Sequence, residues 1–491
     1  MTRPKTDGSE ISQLAQLVSG KCSGEVKVTG ITHDSKSVVS GDLYVALQGA
    51  NNHGINFVDE ALANGAVAVA TDSFGAAIFK QKGVPTIELV NARNDMATIA
   101  ARIYGNPELK LHITGVTGTN GKTTTTHILR SIFLDAGKHV GVIGTLGTYL
   151  DEDHIPGART TPESTDLYAT LALMVERGIT HVFMEVSSHA LSLQRVVGIK
   201  FDVAVFTNLT QDHLDFHGTM ENYFSAKSML FTSEFSRQAV ICVDDDWGKK
   251  LAAESQIPMV TVGRDGNWRT SPAISNSSGL TTQEIGIENS DSISLAVNML
   301  GSFNATNAAC ALATSQILGL PLSTSLDSLK QVRSIPGRLE QVSISSPGMA
   351  LVDYAHTPDA VANVLTVIKN ANPKIIITVI GCGGDRDVAK RPVMGEVAAQ
   401  LSDILIITDD NPRSEDPALI RSAMIKGTRN CVAKVIEIAD RRAAIAKALS
   451  FATPGAVIAI LGKGHEVGQE ISGQVFPFDD RVVVSQESQN V

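Results

Sequence analysis

The chain has 491 residues and a formal net charge of −10; 43% of its residues are hydrophobic and 5% are aromatic. That length exceeds one compact core and predicts two to four domains, three being the natural division, packed as α/β layers of small branched side chains. The acidic balance excludes a nucleic-acid coat or an anionic membrane surface as main partner, so an anionic substrate has to be held by individually placed charges.

Five scattered cysteines, Cys22, Cys242, Cys310, Cys382 and Cys431, form no CxxC pair and read as free thiols of a reducing compartment. The N-terminal MTRPKTDGSE lacks an apolar signal core, and no run approaches the ~20 apolar residues of a spanning helix. A soluble cytoplasmic protein without membrane insertion is the expectation.

From about residue 11 to 105 the runs LYVAL (43–47), AVAVA (66–70) and TIELV (86–90) predict strands of a small α/β unit, ending at a break near Tyr104-Gly105-Asn106-Pro107. The middle third repeats strand and helix: HVGVIG from His139, a helix over about 165–177, HVFMEV from His181 and DVAVFTNL from Asp202. Near-continuous β-branched runs of this kind predict a parallel sheet covered on both faces. The polar stretch over about 264–292 reads equally as antiparallel strands or as a loop. After Ile335-Pro336-Gly337 the alternation restarts, with a helix presenting Val361, Val364, Leu365 and Ile368 on one face and buried strands in KIIITVIG, DILIITDD, AKVIEIAD and AVIAILG. This predicts a second doubly wound sheet. The predicted domains are therefore 1–108, 109–337 and 338–491.

GTNGKTT, from Gly118 to Thr124, follows the apolar run Leu111–Val116 and precedes a helical pattern. In a phosphate cradle, backbone N–H groups at a helix start face the anion, a lysine such as Lys122 supplies a point charge, and a hydroxyl such as Thr123 ligates Mg²⁺. The fit to G-x-x-x-x-G-K-[ST] is imperfect, because Val116 stands at the first glycine position. A nucleoside triphosphate is the implied ligand. Glu185 ends its strand just where such crevices open and is a candidate Mg²⁺ ligand. After the next strand, Asp212, His213, Asp215 and His217 crowd together, suited to metal or acid/base work or to helix capping.

Together these segments resemble the Mur ligase family, ATP-dependent amide-forming enzymes of peptidoglycan precursor synthesis, over essentially the whole chain. The resemblance implies that Gly118, Thr119, Asn120, Gly121, Lys122, Thr123 and Thr124 bind ATP, and that Thr123, Glu185 and His213 hold Mg²⁺. Lys227 in YFSAKSMLF, by itself a helix-surface cation, matches the family's carbamylated lysine, whose CO₂-derived carbamate presents the anionic oxygen that an ammonium lacks. Asn304 and Asn307 in GSFNATNAACA, Arg338 in IPGRLE, and Asp353 in DYAHTPD, which also carries His356, resemble nucleotide-contacting segments. Ser35, Thr160, Thr161, Ser187 and Arg195 match positions that hold the UDP-sugar peptide. Leu193 departs from the pattern, standing where some relatives have Gln.

Within the family, DNPR (Asp410, Asn411, Pro412, Arg413), GGDRD around Arg386 and GKGHE, with Gly462 and Glu466, resemble the members that add meso-diaminopimelate. That amino acid differs from lysine by a second carboxylate, which Arg413 and Arg386 can neutralise while Glu466 accepts from the distal ammonium. The implied reaction is phosphorylation of the terminal carboxylate of UDP-MurNAc-L-Ala-D-Glu to an acyl phosphate, then capture by the amine, with closure at a hinge near Pro336-Gly337. A monomer is expected. The rival readings are a lysine-adding ligase of the same family, a folylpolyglutamate synthetase sharing the ATP chemistry, and a non-catalytic nucleotide-dependent switch or scaffold.

Overall fold

The structure is a computed structural model that describes residues 3–49, 52–157, 159–276, 279–288, 290–332 and 334–490. The chain gathers into two compact units, one formed by residues up to Trp268 together with Cys310–Ser325, the other by Arg269–Ala309 together with Leu326 onward.

The first unit holds two main sheets beside the short antiparallel pair Ser9–Glu10 and Lys27–Val28. The smaller has the spatial order Lys21–Ser23, Thr86–Glu88, Ala68–Thr71, Asp42–Ala46, Gly30–Thr32, parallel except for its first pair. Helix Ala92–Ile103 then stops at Tyr104, and Asn106 takes a left-handed conformation (φ 50°) before Pro107 opens a short 3₁₀ turn. The predicted break is thus a helix stop.

The larger sheet runs Val140–Gly144, His181–Glu185, His112–Thr117, Phe201–Phe206, Ser236–Cys242, Met259–Gly263, all parallel. Val116, Val142, Val182, Val205 and Ile241 are fully or almost fully buried, as strands covered on both faces require. His112–Thr117 has a neighbour from later in the chain on either side, so the strand order reverses around it and a crevice opens at its carboxyl end. Gly147–Leu150 and Asp153–Ile155 extend the Val140 side as antiparallel strands.

In the second unit, Thr281–Ile287 pairs antiparallel with both Ile274–Ser275 and Ile293–Val297, so the polar stretch left open above forms strands. A six-stranded sheet follows in the order Glu340–Val342, Met349–Asp353, Ala456–Leu461, Ile375–Ile380, Ile404–Ile407, Lys434–Glu437, parallel after the first pair. Helix Pro358–Asn370 starts where Thr357 accepts from the Ala360 N–H, and it buries Val361, Val364, Leu365 and Ile368, the four residues its periodicity selects. On the other face helix Arg441–Leu449 buries Ala444, Ile445, Ala448 and Leu449. Full burial of each Leu or Ile is worth roughly 1.5–3 kcal/mol, so these two stripes anchor the layers. Among the described residues no helix is long and apolar enough to cross a membrane.

Candidate functional site

The loop Gly118–Gly121 joins the central strand His112–Thr117 to helix Lys122–Asp135. Gly118 sits at φ 150°, and a Cβ there would lie 1.9 Å from Thr207 Oγ1, so only glycine lets the two segments meet. Thr207–Thr210, beyond strand Phe201–Phe206, pins the loop: Thr119 N–H donates to Asn208 O (2.9 Å), Asn120 N–H to Asn208 Oδ1 (3.0 Å), and Thr207 Oγ1 to Asn120 O (2.6 Å). Gly121 is left-handed and caps the helix without a side-chain acceptor, leaving the first-turn N–H groups for an anion. Lys122 Nζ folds over the same loop, donating to Gly118 O and Thr119 O at 3.0 and 2.9 Å. Thr124 is buried in the first helical turn.

Beside this loop stands Glu185, 1% exposed. Its carboxylate accepts from Thr123 Oγ1 (2.9 Å), Thr145 N–H (2.9 Å) and Thr145 Oγ1 (3.1 Å), and makes no ion pair among the described residues. Gly144 permits this approach, since a Cβ there would lie 2.3 Å from Glu185 Oε1. A buried carboxylate ringed only by neutral donors fits a bound cation.

Lys227 is not on a helix surface: it is 1% exposed, donates to Gly118 O (2.9 Å) and lies 4.8 Å from the centre of the Tyr223 ring. Burial, reinforced by Lys122, holds its ammonium well below the usual lysine range. His213 lies against the other side of this cluster, its ring 6.0 Å from Tyr223 and 4.8 Å from His189, and its Nε2 3.5 Å from Asp212. Burial also lowers the His213 pKa, with Asp212 opposing and Lys122 and Lys227 adding to the decrease. His217 Nε2 meets Ser188 Oγ at 2.9 Å. Thr123 and Glu185 are therefore in contact, and Lys227 and His213 share Tyr223. No three His, Cys, Asp or Glu side chains converge as a ready cage among the described residues.

Still in the first unit, a cavity of about 710 Å³ is lined by Ser35, His33, Arg159, Glu163 and Asp166, among others. Ser35 donates to Glu60 Oε2 at 2.5 Å. Thr160 Oγ1 lies 3.1 Å from Thr145 Oγ1, Thr161 Oγ1 donates to Glu185 O (2.9 Å), and Ser187 caps the short helix Ser188–Ser192. Arg195 pairs with Glu163 at 2.7 Å, as do Arg159 at 2.7 Å and Arg93 at 3.1 Å. Burial pushes the Glu163 pKa up, yet Arg195, Arg93, His33 and Arg159 together hold it below the ordinary value. Leu193 offers its carbonyl to Arg93 Nη1 at 3.4 Å.

In the second unit Asn304 and Asn307 are buried in helix Ser302–Ile317, Asn304 Nδ2 donating to Leu300 O at 2.7 Å. Asp353 accepts from the Leu339 and Ala355 N–H groups at 2.7 and 2.8 Å, and burial raises its pKa against the pull of Arg338. Arg338 packs 5.5 Å from the Tyr354 ring centre, and His356 is exposed at the strand's end. Asp410 and Asn411 are buried; Gly462 (φ 116°) lets Asp410 approach, since a Cβ would lie 2.5 Å from its Oδ2. Asn411 Nδ2 donates to Glu466 Oε2 at 2.8 Å. Pro412 is buried, Arg413 is left-handed at φ 52°, and Arg386 is exposed.

Residues 27–104 match the Mur ligase family catalytic domain, 116–315 the Mur ligase middle domain, and 337–464 the Mur ligase glutamate ligase domain. A UDP-N-acetylmuramoyl-L-alanyl-D-glutamate–2,6-diaminopimelate ligase of Streptomyces coelicolor is 42% identical across 98% of this chain and 96% of its own length. The chain belongs to the Mur ligase family. A solved structure titled as a 2,6-diaminopimelate ligase of that kind superposes with a TM-score of 0.69 at 31% identity, covering 94% of this chain and 95% of that one. A MurF ligase of Thermotoga maritima in complex with ADP shares the fold at a TM-score of 0.62 and 20% identity, over 94% of this chain and 98% of that one.

Three residues of this Mur ligase stand among the expected ones but were not picked out by sequence reasoning. Glu163, two residues after Thr161, gathers three arginines. Lys463, inside GKGHE, is 0% exposed and bridges Asn411 Oδ1 (3.1 Å) to Glu466 Oε2 (2.9 Å). Glu470 pairs with Arg413 at 3.2 Å from a hairpin that carries no sequence signal of its own. Lys463 lies inside GKGHE and Glu163 next to the expected Thr161, and burial of their charges was the missing information.

Proposed function

We propose that this chain is an ATP-dependent acid–amino-acid ligase of cytoplasmic peptidoglycan precursor synthesis. It joins meso-diaminopimelate to UDP-MurNAc-L-Ala-D-Glu and forms ADP and phosphate. The observation that carries this reading is 42% identity over 98% of the chain to a ligase of that name, and the half-buried guanidinium of Arg413 supports the diacid as amino acid. In this reading residues 1–108 take the uridine nucleotide, 109–337 ATP and 338–491 the amino acid, and the chain acts as a monomer.

The terminal carboxylate of the UDP-sugar peptide attacks the γ-phosphorus of ATP, the bond to the bridging oxygen breaks, and ADP leaves. The acyl phosphate so formed is attacked by the α-amine of diaminopimelate; the tetrahedral adduct loses a proton and expels phosphate, leaving the amide. Lys122 and the uncapped N–H groups of its helix hold phosphate oxygens, with Gly118, Thr119, Asn120, Gly121 and Thr124 shaping the cradle. Asn304, Asn307, Arg338 and Asp353 serve the rest of the nucleotide. Thr123, Glu185, His213 and carbamylated Lys227 would hold Mg²⁺, which when bound neutralises phosphate charge. Burial and the neighbouring Lys122 disfavour the Lys227 ammonium, the protonated form that cannot add CO₂. Ser35, Thr160, Thr161, Ser187 and Arg195 orient the UDP-sugar peptide. Arg413 and Arg386 take carboxylates of the diaminopimelate, Glu466 accepts from its distal ammonium, and Asp410, Asn411, Pro412 and Gly462 shape its pocket.

Purified protein with ATP, Mg²⁺ and UDP-MurNAc-L-Ala-D-Glu should release phosphate only once diaminopimelate is added, with ¹⁸O passing from the labelled peptide carboxylate into phosphate. Equal turnover with L-lysine overturns the amino-acid choice, and phosphate without ¹⁸O overturns the acyl-phosphate route.

A further inference from the structure

Arg413 already has a carboxylate partner. The hairpin of Gly468–Ile471 and Gln474–Pro477 is laid along the DNPR segment by its backbone: Arg413 N–H donates to Glu470 O at 3.1 Å and Ser472 N–H to Arg413 O at 2.7 Å. The Glu470 N–H also donates to Asn411 Oδ1 at 3.0 Å, so the Glu470 backbone is held to this segment through both its carbonyl and its N–H. Its carboxylate lies 3.2 Å from Arg413 Nε, while Arg413 Nη1 donates to Gly384 O at 2.7 Å. The guanidinium is thus half-buried, oriented and charge-neutralised before any substrate arrives.

We propose that Glu470 sets the amino-acid selectivity of this chain as a built-in counter-ion to Arg413; this rests on the reading of Arg413 as the carboxylate receptor. A diacid brings its own carboxylate and must share or displace Glu470, at the cost of like-charge repulsion. An amino acid without that carboxylate, such as L-lysine, leaves the Arg413–Glu470 pair intact. Without Glu470, the same ligand would strand a half-buried guanidinium with no anion, and stranded charges are what make polar sites selective. Glu470 therefore narrows the gap between diaminopimelate and lysine. Glu470→Gln keeps the shape and removes the charge, so it widens that gap.

The experiment is phosphate release with saturating ATP and UDP-MurNAc-L-Ala-D-Glu, titrating diaminopimelate and L-lysine separately, for wild type, Glu470→Gln, Glu470→Ala and Glu470→Asp. The expected result is a fall in KM for diaminopimelate and a rise of about three- to tenfold in the diaminopimelate-to-lysine ratio of kcat/KM for the Gln and Ala variants. The KM for ATP should not move, and Glu470→Asp, which keeps the charge, should stay near wild type. A ratio that is unchanged or lower in both neutral variants, including a uniform loss with all substrates, overturns this inference alone. A wild type that releases no phosphate with either amino acid overturns the ligase reading and this inference with it.

Discussion

Thr123 Oγ1 donates to Glu185 Oε1 across 2.9 Å, joining the first turn of helix Lys122–Asp135 to the end of the adjacent strand. The contact spans 62 residues of sequence and leaves Glu185 buried among hydroxyl and amide donors.

Glu185→Gln preserves volume and removes the charge, so turnover should fall by at least about 100-fold while the melting temperature stays within a few degrees of wild type. Gly144→Ala should act in the same direction by pushing a Cβ against Glu185 Oε1. Phosphate-release kinetics beside a thermal melt decide it. Near-wild-type kcat in Glu185→Gln would remove this carboxylate from cation binding.

Lys227→Ala should lose activity by about 100-fold or more, with no recovery on adding bicarbonate. In wild-type protein prepared with ¹³C-bicarbonate, a carbamate carbon resonance should appear and be missing in the variant. Its absence from active wild-type enzyme would eliminate the modification.

His181 predicts a pH effect on stability. Its ring stacks on His112 with centroids 5.1 Å apart and tilts against Phe133 at 4.9 Å. Burial, then His112 and Lys138, lowers its pKa from the ordinary 6.5 to about 4. Because the folded pKa is depressed, the unfolded chain takes up the proton first as pH falls. The stability from this residue is complete above pH 6.5, declines between 6.5 and about 4, and changes no further below. At this half-buried, solvent-screened site the loss is of order 1 kcal/mol. Urea midpoints at pH 7 and pH 4.5 should therefore differ more for wild type than for His181→Phe; equal differences would refute the assignment.

Arg441 and Asp480 form a pair with both side chains 0% exposed, bonded at 2.6 and 2.8 Å, and Arg441 Nη2 also donates to Leu461 O just before Gly462. Removing one partner strands a buried charge, so Arg441→Met or Asp480→Asn should cost about 3–5 kcal/mol, read by urea unfolding. Arg441→Met combined with Asp480→Asn should cost less than the two losses added together. A double variant no better than the sum of its singles would show the two side chains to be energetically independent.

The alternation of buried strands with amphipathic helices was legible because each element's apolar spacing is a local property: Val361, Val364, Leu365 and Ile368 face the core wherever that helix packs. The glycine-rich turn before Lys122 and the DNPR segment were legible for the same reason, as short runs of contiguous residues. The burial of Lys227 was not, since a lysine in a weakly patterned helix looks solvent-exposed until strand His112–Thr117 and Tyr223 close over it. Glu163 drawing three arginines, Lys463 buried between Asn411 and Glu466, and Glu470 resting on Arg413 were equally hidden. Residue order dictated which segments become strands and helices, through backbone periodicity and turn chemistry. Which charges are buried, and against which partners, was decided only when the sheets aligned segments distant in sequence, because desolvation and Coulomb attraction depend on distance in space.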